Sequence, residues 1–194
     1  MRDLETGEAV LPKRAMARFL CRGVFSLVAV SLIWAHGAWG GLAGNQRQPL
    51  APPFALQDLD GRTRTLSEFL GAKPVILEFM SLGCPHCRDM APVLTRLHET
   101  NGNRLVFLTV VFEPRAYRAK AFAQVYGHTW PYLLGTEATA RAYALEGVPT
   151  FLLLGPDGRI RGVQIGSCSY EEFVRAIEEA FGPFKTNVYL LVGI

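Results

Sequence analysis

The feature that most constrains this chain is an apolar run that leads into a pair of cysteines. Pro74 to Ser81 reads PVILEFMS, broken only by Glu78, and after Leu82 and Gly83 comes Cys84-Pro85-His86-Cys87. An apolar stretch of this length without alternation suits a central strand covered on both faces. The segment from about Cys84 to Thr100 reads as a helix with Val93, Leu94 and Leu97 on its inner side, stopped by Asn101-Gly102. A strand buried on both sides and followed at once by a helix demands layered α/β architecture.

The rest of the pattern agrees. Pro52 to Leu59 reads as a short first strand ended by Asp60-Gly61, and Leu66 to Leu70 as a helical turn. Arg104 to Phe112 (RLVFLTVVF) is a second buried strand. Arg115 to Tyr126 is a helix closed by Gly127, and Thr136 to Leu145 a shorter one. Thr150 to Leu154 and Ile160 to Ile165 form a hairpin around Gly155-Pro156-Asp157-Gly158. Ser169, with Glu172 three residues on, opens a last helix that runs to Phe181. This order predicts a mixed sheet with helices on both faces. Hydrophobic residues make up 49% of the 194, enough for a sizeable core, and a net charge of +3 without a Lys/Arg block excludes a dedicated nucleic-acid binder. Four cysteines are too few for a disulfide scaffold in a chain of this length.

Residues 1–43 form a separate segment. Five Lys/Arg precede an uncharged apolar run from Gly23 to Ala35, and small residues follow. These are the parts of a secretory signal. The uncharged stretch extends to Gln46, twenty-four residues, so it also spans a bilayer if uncut. Either form, signal peptide or N-terminal anchor, places residues 44–183 outside the cytoplasm, in a bacterial cell the periplasm, with membrane contact only through the uncut segment. The stretch 184–194 is an apolar tail, too short to span a membrane.

Cys84 and Cys87 carry the chemistry. A helix N-terminus presents unpaired N–H groups and a partial positive charge, which favours a thiolate at Cys84 and makes it a nucleophile. Cys87, one turn on, is placed to close a disulfide with it. Pro85 fits the first turn because its missing N–H costs nothing there. His86 can add positive charge or donate to the Cys84 sulfur. The alternatives at this point are a metal site, for which a second Cys pair is lacking, and a static disulfide.

EFMSLGCPHC, from Glu78 to Cys87, resembles the active-site segment of the thioredoxin superfamily. The Pro-His pair resembles that of DsbA-type periplasmic oxidants. The layout resembles the smaller TlpA/ResA-like redoxins, since 65 residues separate Cys84 from Pro149, too few for a large helical insertion. The resemblance covers about 52–181. It implies a thioredoxin-like mixed sheet, with thiol–disulfide oxidoreductase activity carried by the Cys84–Cys87 redox disulfide, no further cofactor and no metal. It also implies a cis bond at Val148-Pro149, with Val148, Pro149 and Thr150 lining the place where an extended client segment pairs. Glu78 would relay the proton of Cys87; the alternative is a strand-end carboxylate that reaches water. Gly83 departs from the family, which places Trp there, and leaves a less aromatic rim.

Partners are then protein thiols and disulfides, with an upstream redox partner at the membrane. Direction stays open: a stabilised thiolate makes the disulfide a better oxidant, whereas the TlpA-like layout points to reduction. Two other classes compete. One is a Cu(I)-binding module using the two cysteines. The other is a thiol peroxidase, although Leu77 and Ser81 stand where such sites place Pro and Thr. Cys168 is expected near the redox site, as a third reactive thiol or as a bystander. His98 and His128 read as surface or loop residues, and Phe112, Trp130 and Tyr132 as core or rim aromatics.

Overall fold

The computed structural model describes residues 48–183. The expected signal or anchor over 1–43 and the apolar tail over 184–194 lie outside them.

Five strands form the main sheet: β3 (Val75–Met80), β4 (Val106–Val111), β5 (Tyr132–Leu134), β6 (Thr150–Leu154) and β7 (Ile160–Ile165), in spatial order β5-β4-β3-β6-β7. A separate two-stranded hairpin precedes them, β1 (Ala55–Gln57) with β2 (Thr63–Thr65). The pairs β3–β4 and β4–β5 are parallel, while β3–β6 and β6–β7 are antiparallel. The mixed sheet thus has the apolar run Val75–Met80 at its centre, where all six residues are buried.

Alternation along β3 explains the two cores. Ile76 and Met80 face one side, with α1 (Pro85–Asn101), α2 (Ala116–Tyr126) and α4 (Tyr170–Phe181) supplying Met90, Leu94, Ala119, Phe173 and Ile177. Val75, Leu77 and Phe79 face the other, packed by Leu56, Leu66, Leu152 and Tyr143. Tyr143 follows α3 (Glu137–Ala142), so helical segments cover both faces. Burying each of these large side chains contributes on the order of 1.5–3 kcal/mol, and this burial, not helix propensity, holds the layers together. Among the described residues no helix is long and apolar enough to cross a membrane.

Local signals set the helix ends. Ser169 and Glu172 form a reciprocal capping box at the start of α4. Gly127 ends α2 at φ 69°, a left-handed conformation that disfavours any side chain. Pro92 lies inside α1 and removes the N–H that residue 88 would have received.

Sequence and structure differ in three places. The first strand is Ala55–Gln57, shorter than 52–59, because Pro52 and Pro53 lack the N–H groups a ladder needs. The three-residue strands β2 and β5 carry too little alternation to stand out. His128 does stand in a loop, between α2 and β5, but it is 8% exposed and enclosed by aromatic rings, whereas His98 is half-buried.

Candidate active site

The site lies where β3 hands over to α1. After Met80 the chain turns, with the Cys84 N–H donating to the Ser81 carbonyl at 3.1 Å. Cys84 is extended (φ −81°, ψ 119°) and acts as the N-cap of α1, with Pro85 as the first helical residue. Its sulfur takes the capping role of a serine oxygen: Sγ accepts the Cys87 backbone N–H at 3.3 Å. The sulfur is therefore held against the electropositive end of the helix. Cys84 is half-buried at a rim formed by exposed Gly83, Pro85 and His86.

Cys87 is 1% exposed and packs among Met80, Met90 and Phe173. Burial first, and then the neighbouring Cys84 side chain, pushes its thiol up to about 12. The two sulfurs thus differ in kind: one stands at the rim on a helix end, the other is kept protonated within. Both are free thiols.

The Val148–Pro149 bond is cis. The segment approaches the cysteines closely, since the Cys84 thiol donates to the Val148 carbonyl at 3.3 Å. The Pro149 carbonyl receives the Gly166 N–H at 2.8 Å, and Thr150 Oγ1 donates to the Gly147 carbonyl at 2.7 Å. Those bonds fix the segment from both sides, so Val148 is presented beside Cys84.

Glu78 lies beneath the pair, 2% exposed, which removes the reading of a carboxylate reaching water. Thr109 Oγ1 donates to its Oε2 at 2.8 Å. Burial raises the carboxyl and the Thr109 bond opposes it, leaving it at about 7. Its charge is also among the influences that raise Cys87.

His86 is placed differently from the sequence expectation of a donor to Cys84. Its Nδ1 lies 3.3 Å from Ser167 Oγ and 3.6 Å from Asp89 Oδ2, on the outer side of the helix start. Ser167 belongs to the loop after β7, and the Cys168 N–H there donates to the Met90 sulfur at 3.3 Å. Cys168 is half-buried; burial and then Glu172 push its thiol up to about 11. Sequence reasoning did not single out Thr109 or Ser167, because neither stands in a local motif. Among the described residues no group of three or more His, Cys, Asp or Glu is arranged to hold a metal ion.

Comparison with known proteins finds relatives and structures of the thiol–disulfide type. The thioredoxin-like protein YneN of Bacillus subtilis is 28% identical over 138 residues, 70% of this chain and 81% of that protein. The thiol-disulfide oxidoreductase ResA of the same organism is 29% identical over 141 residues, 71% and 76% of the two chains. The crystal structure of a thiol:disulfide interchange protein of the thioredoxin family from Chlorobium tepidum is 25% identical, with a TM-score of 0.61 over 69% of this chain and 97% of that one. The AhpC/TSA family pattern matches residues 48–163, more than half of the length, and the chain therefore belongs to the AhpC/TSA family, with a thioredoxin-like fold.

Proposed function

We propose that this thiol–disulfide oxidoreductase acts on cysteines of extracytoplasmic proteins through the Cys84/Cys87 pair, with the mixed disulfide carried on Cys84. The observation that carries the reading is the asymmetry of the two thiols. Cys84 is at the rim and on the helix end, while Cys87 is buried with its thiol pushed up to about 12 by burial. The first can meet a client; the second can only meet the first.

In the reducing direction the Cys84 thiolate attacks a client disulfide. A bond forms from Cys84 to one client sulfur, and the other client sulfur leaves as thiolate. Cys87 then gives its proton to Glu78 and attacks Cys84. The Cys84–Cys87 bond forms, the client sulfur leaves, and two electrons have passed to the client. Reversal of the same steps donates a disulfide. The chemistry draws on the two sulfur atoms and needs neither metal nor cofactor.

The segment 148–150 serves as the client platform. While Cys84 is a thiol its S–H occupies the Val148 carbonyl. Once that sulfur is bonded to a client the S–H is gone, and the carbonyl is released to accept an N–H from an extended client strand. Pro85 starts the helix that holds Cys84. A redox partner, at the membrane if residues 1–43 stay attached, resets the pair.

The test is exchange activity against model disulfides and thiols, together with the equilibrium potential of the pair against glutathione. A potential near about −270 mV makes the protein a reductant and one near about −120 mV an oxidant. No exchange in either direction, with tight Cu(I) binding or rapid peroxide turnover in its place, overturns the proposal.

A further inference from the structure

Glu78 ends a row of side chains that crosses the sheet. In register it lies opposite Thr109 on β4, and Thr109 lies opposite Tyr132 on β5. Trp130 and His128, two and four residues before Tyr132, extend the row; all five are buried. The Trp130 indole N–H donates to Thr109 Oγ1 at 3.0 Å, and the Thr109 hydroxyl donates onward to Glu78 at 2.8 Å. A donor onto a hydroxyl oxygen polarises its O–H and strengthens the bond that it makes in turn.

His128 braces the far end. Its ring stacks on Trp130 with centroids 4.0 Å apart, its Nε2 meets the Ala91 carbonyl at 3.1 Å, and its Nδ1 bonds the Tyr132 hydroxyl. A carbonyl only accepts, so Nε2 carries the proton and Nδ1 accepts from Tyr132. Ala91 stands on α1, four residues after Cys87, so the row is tied to the helix that bears the cysteines.

We infer that Thr109, Trp130, Tyr132 and His128 are positioning residues that hold the Glu78 carboxyl and set the pH at which it exchanges its proton. The inference rests on the role given to Glu78 above. The groups facing that carboxyl are the Cys87 thiol on α1, Thr109 on β4 and Tyr132 on β5, with Phe151 opposite it on β6. Thr109 donates to the ionised form and so opposes burial, which favours the neutral one. Removing the donor leaves burial unopposed, and the proton is held to higher pH.

Two readouts on the folded full chain separate this inference from the exchange reading. The first is the titration of the Glu78 carboxyl, followed by side-chain carboxyl NMR, which needs no redox activity. Thr109→Val is expected to move its midpoint up by about one unit, a tenfold loss of carboxylate on the acid side. Thr109→Ser restores the wild-type midpoint, and Trp130→Phe moves it part of the way. An unchanged midpoint in folded Thr109→Val overturns the inference; should that variant not fold, Trp130→Phe and Tyr132→Phe carry the same test. The second readout is the second thiolate released from an aromatic disulfide reagent, which reports attack by Cys87. Its pH profile is expected to follow the carboxyl midpoint. A profile that stays in place while the midpoint moves counts against Glu78 as the base for Cys87 and leaves the tuning of Glu78 by the row intact.

Discussion

The Cys84 sulfur lies 3.3 Å from the carbonyl oxygen of Val148, a residue 64 positions further along the chain. That contact joins the start of α1 to the start of β6. It arises because β3 and β6 are neighbours in the sheet, so the loop entering one meets the loop leaving the other. The Cys84 sulfur and the cis-proline segment are therefore brought together by the same strand pairing.

The division of labour between the cysteines predicts two different failures. Cys84→Ser is expected to lose exchange to background. Cys87→Ser is expected to accumulate mixed disulfides with clients, visible as adducts on non-reducing gels. Full activity of both variants removes the mechanism.

His86 shares its Nδ1 with Ser167 and Asp89 and is largely exposed, so its effect on the cysteines passes through solvent. His86→Ala is expected to make the potential more reducing by no more than about 30 mV, equivalent to ~1.4 kcal/mol for a two-electron couple. A larger change would require a direct contact with Cys84 in one of the redox states, and no change leaves His86 outside the redox function.

Glu78 and His128 give the stability a pH dependence of opposed signs. The Glu78 carboxyl is raised to about 7 by burial, so the folded state holds a proton that the unfolded chain releases near 4.5. Its stabilising effect is complete below about 4.5 and lost as pH rises through 7. Burial lowers His128 to about 4, against 6.5 unfolded; its contribution is complete above 6.5 and lost as pH falls through 4. Between those limits the two nearly cancel. Glu78→Gln is expected to gain about 3 kcal/mol at pH 8 and to expose the acid-side loss. His128→Gln should expose the opposite slope. Denaturant melts at a series of pH values check both, and parallel profiles for the two variants would contradict the assignment.

Gly83 has open space where a side chain would grow: a Cβ there meets only Ser81 Oγ, at 4.0 Å. Gly83→Trp is thus expected to change stability by less than about 0.5 kcal/mol. Its effect should fall on KM for protein clients, with small disulfides turned over as before. A large loss of Tm would show that the rim is closed.

Much of this was legible in the chain. Val75–Met80, the cysteine pair and α1 follow from one uninterrupted apolar run and a helix start, both local signals. Glu78 stood out as the single acid in that run. What escaped depends on distant partners. β5 is three residues between Pro131 and Gly135, too short to show a period, and becomes a strand only because β4 offers it an edge. His128 reads as a loop histidine until the Ala91 carbonyl and Tyr132 satisfy both ring nitrogens, which is what makes its burial affordable. The outward placement of His86 likewise depends on Ser167, 81 residues away.

The concealment of Cys87 also governs how the protein meets damage. On the proposed mechanism a small peroxide is expected to reach half-buried Cys84 and carry it to the sulfenic acid, and to miss the enclosed sulfur one turn on. That neighbour would attack the sulfenic acid, expel water and close the Cys84–Cys87 disulfide. Irreversible sulfinic acid would thereby be averted, with the lesion turned into the oxidised form that the proposed exchange cycle already handles.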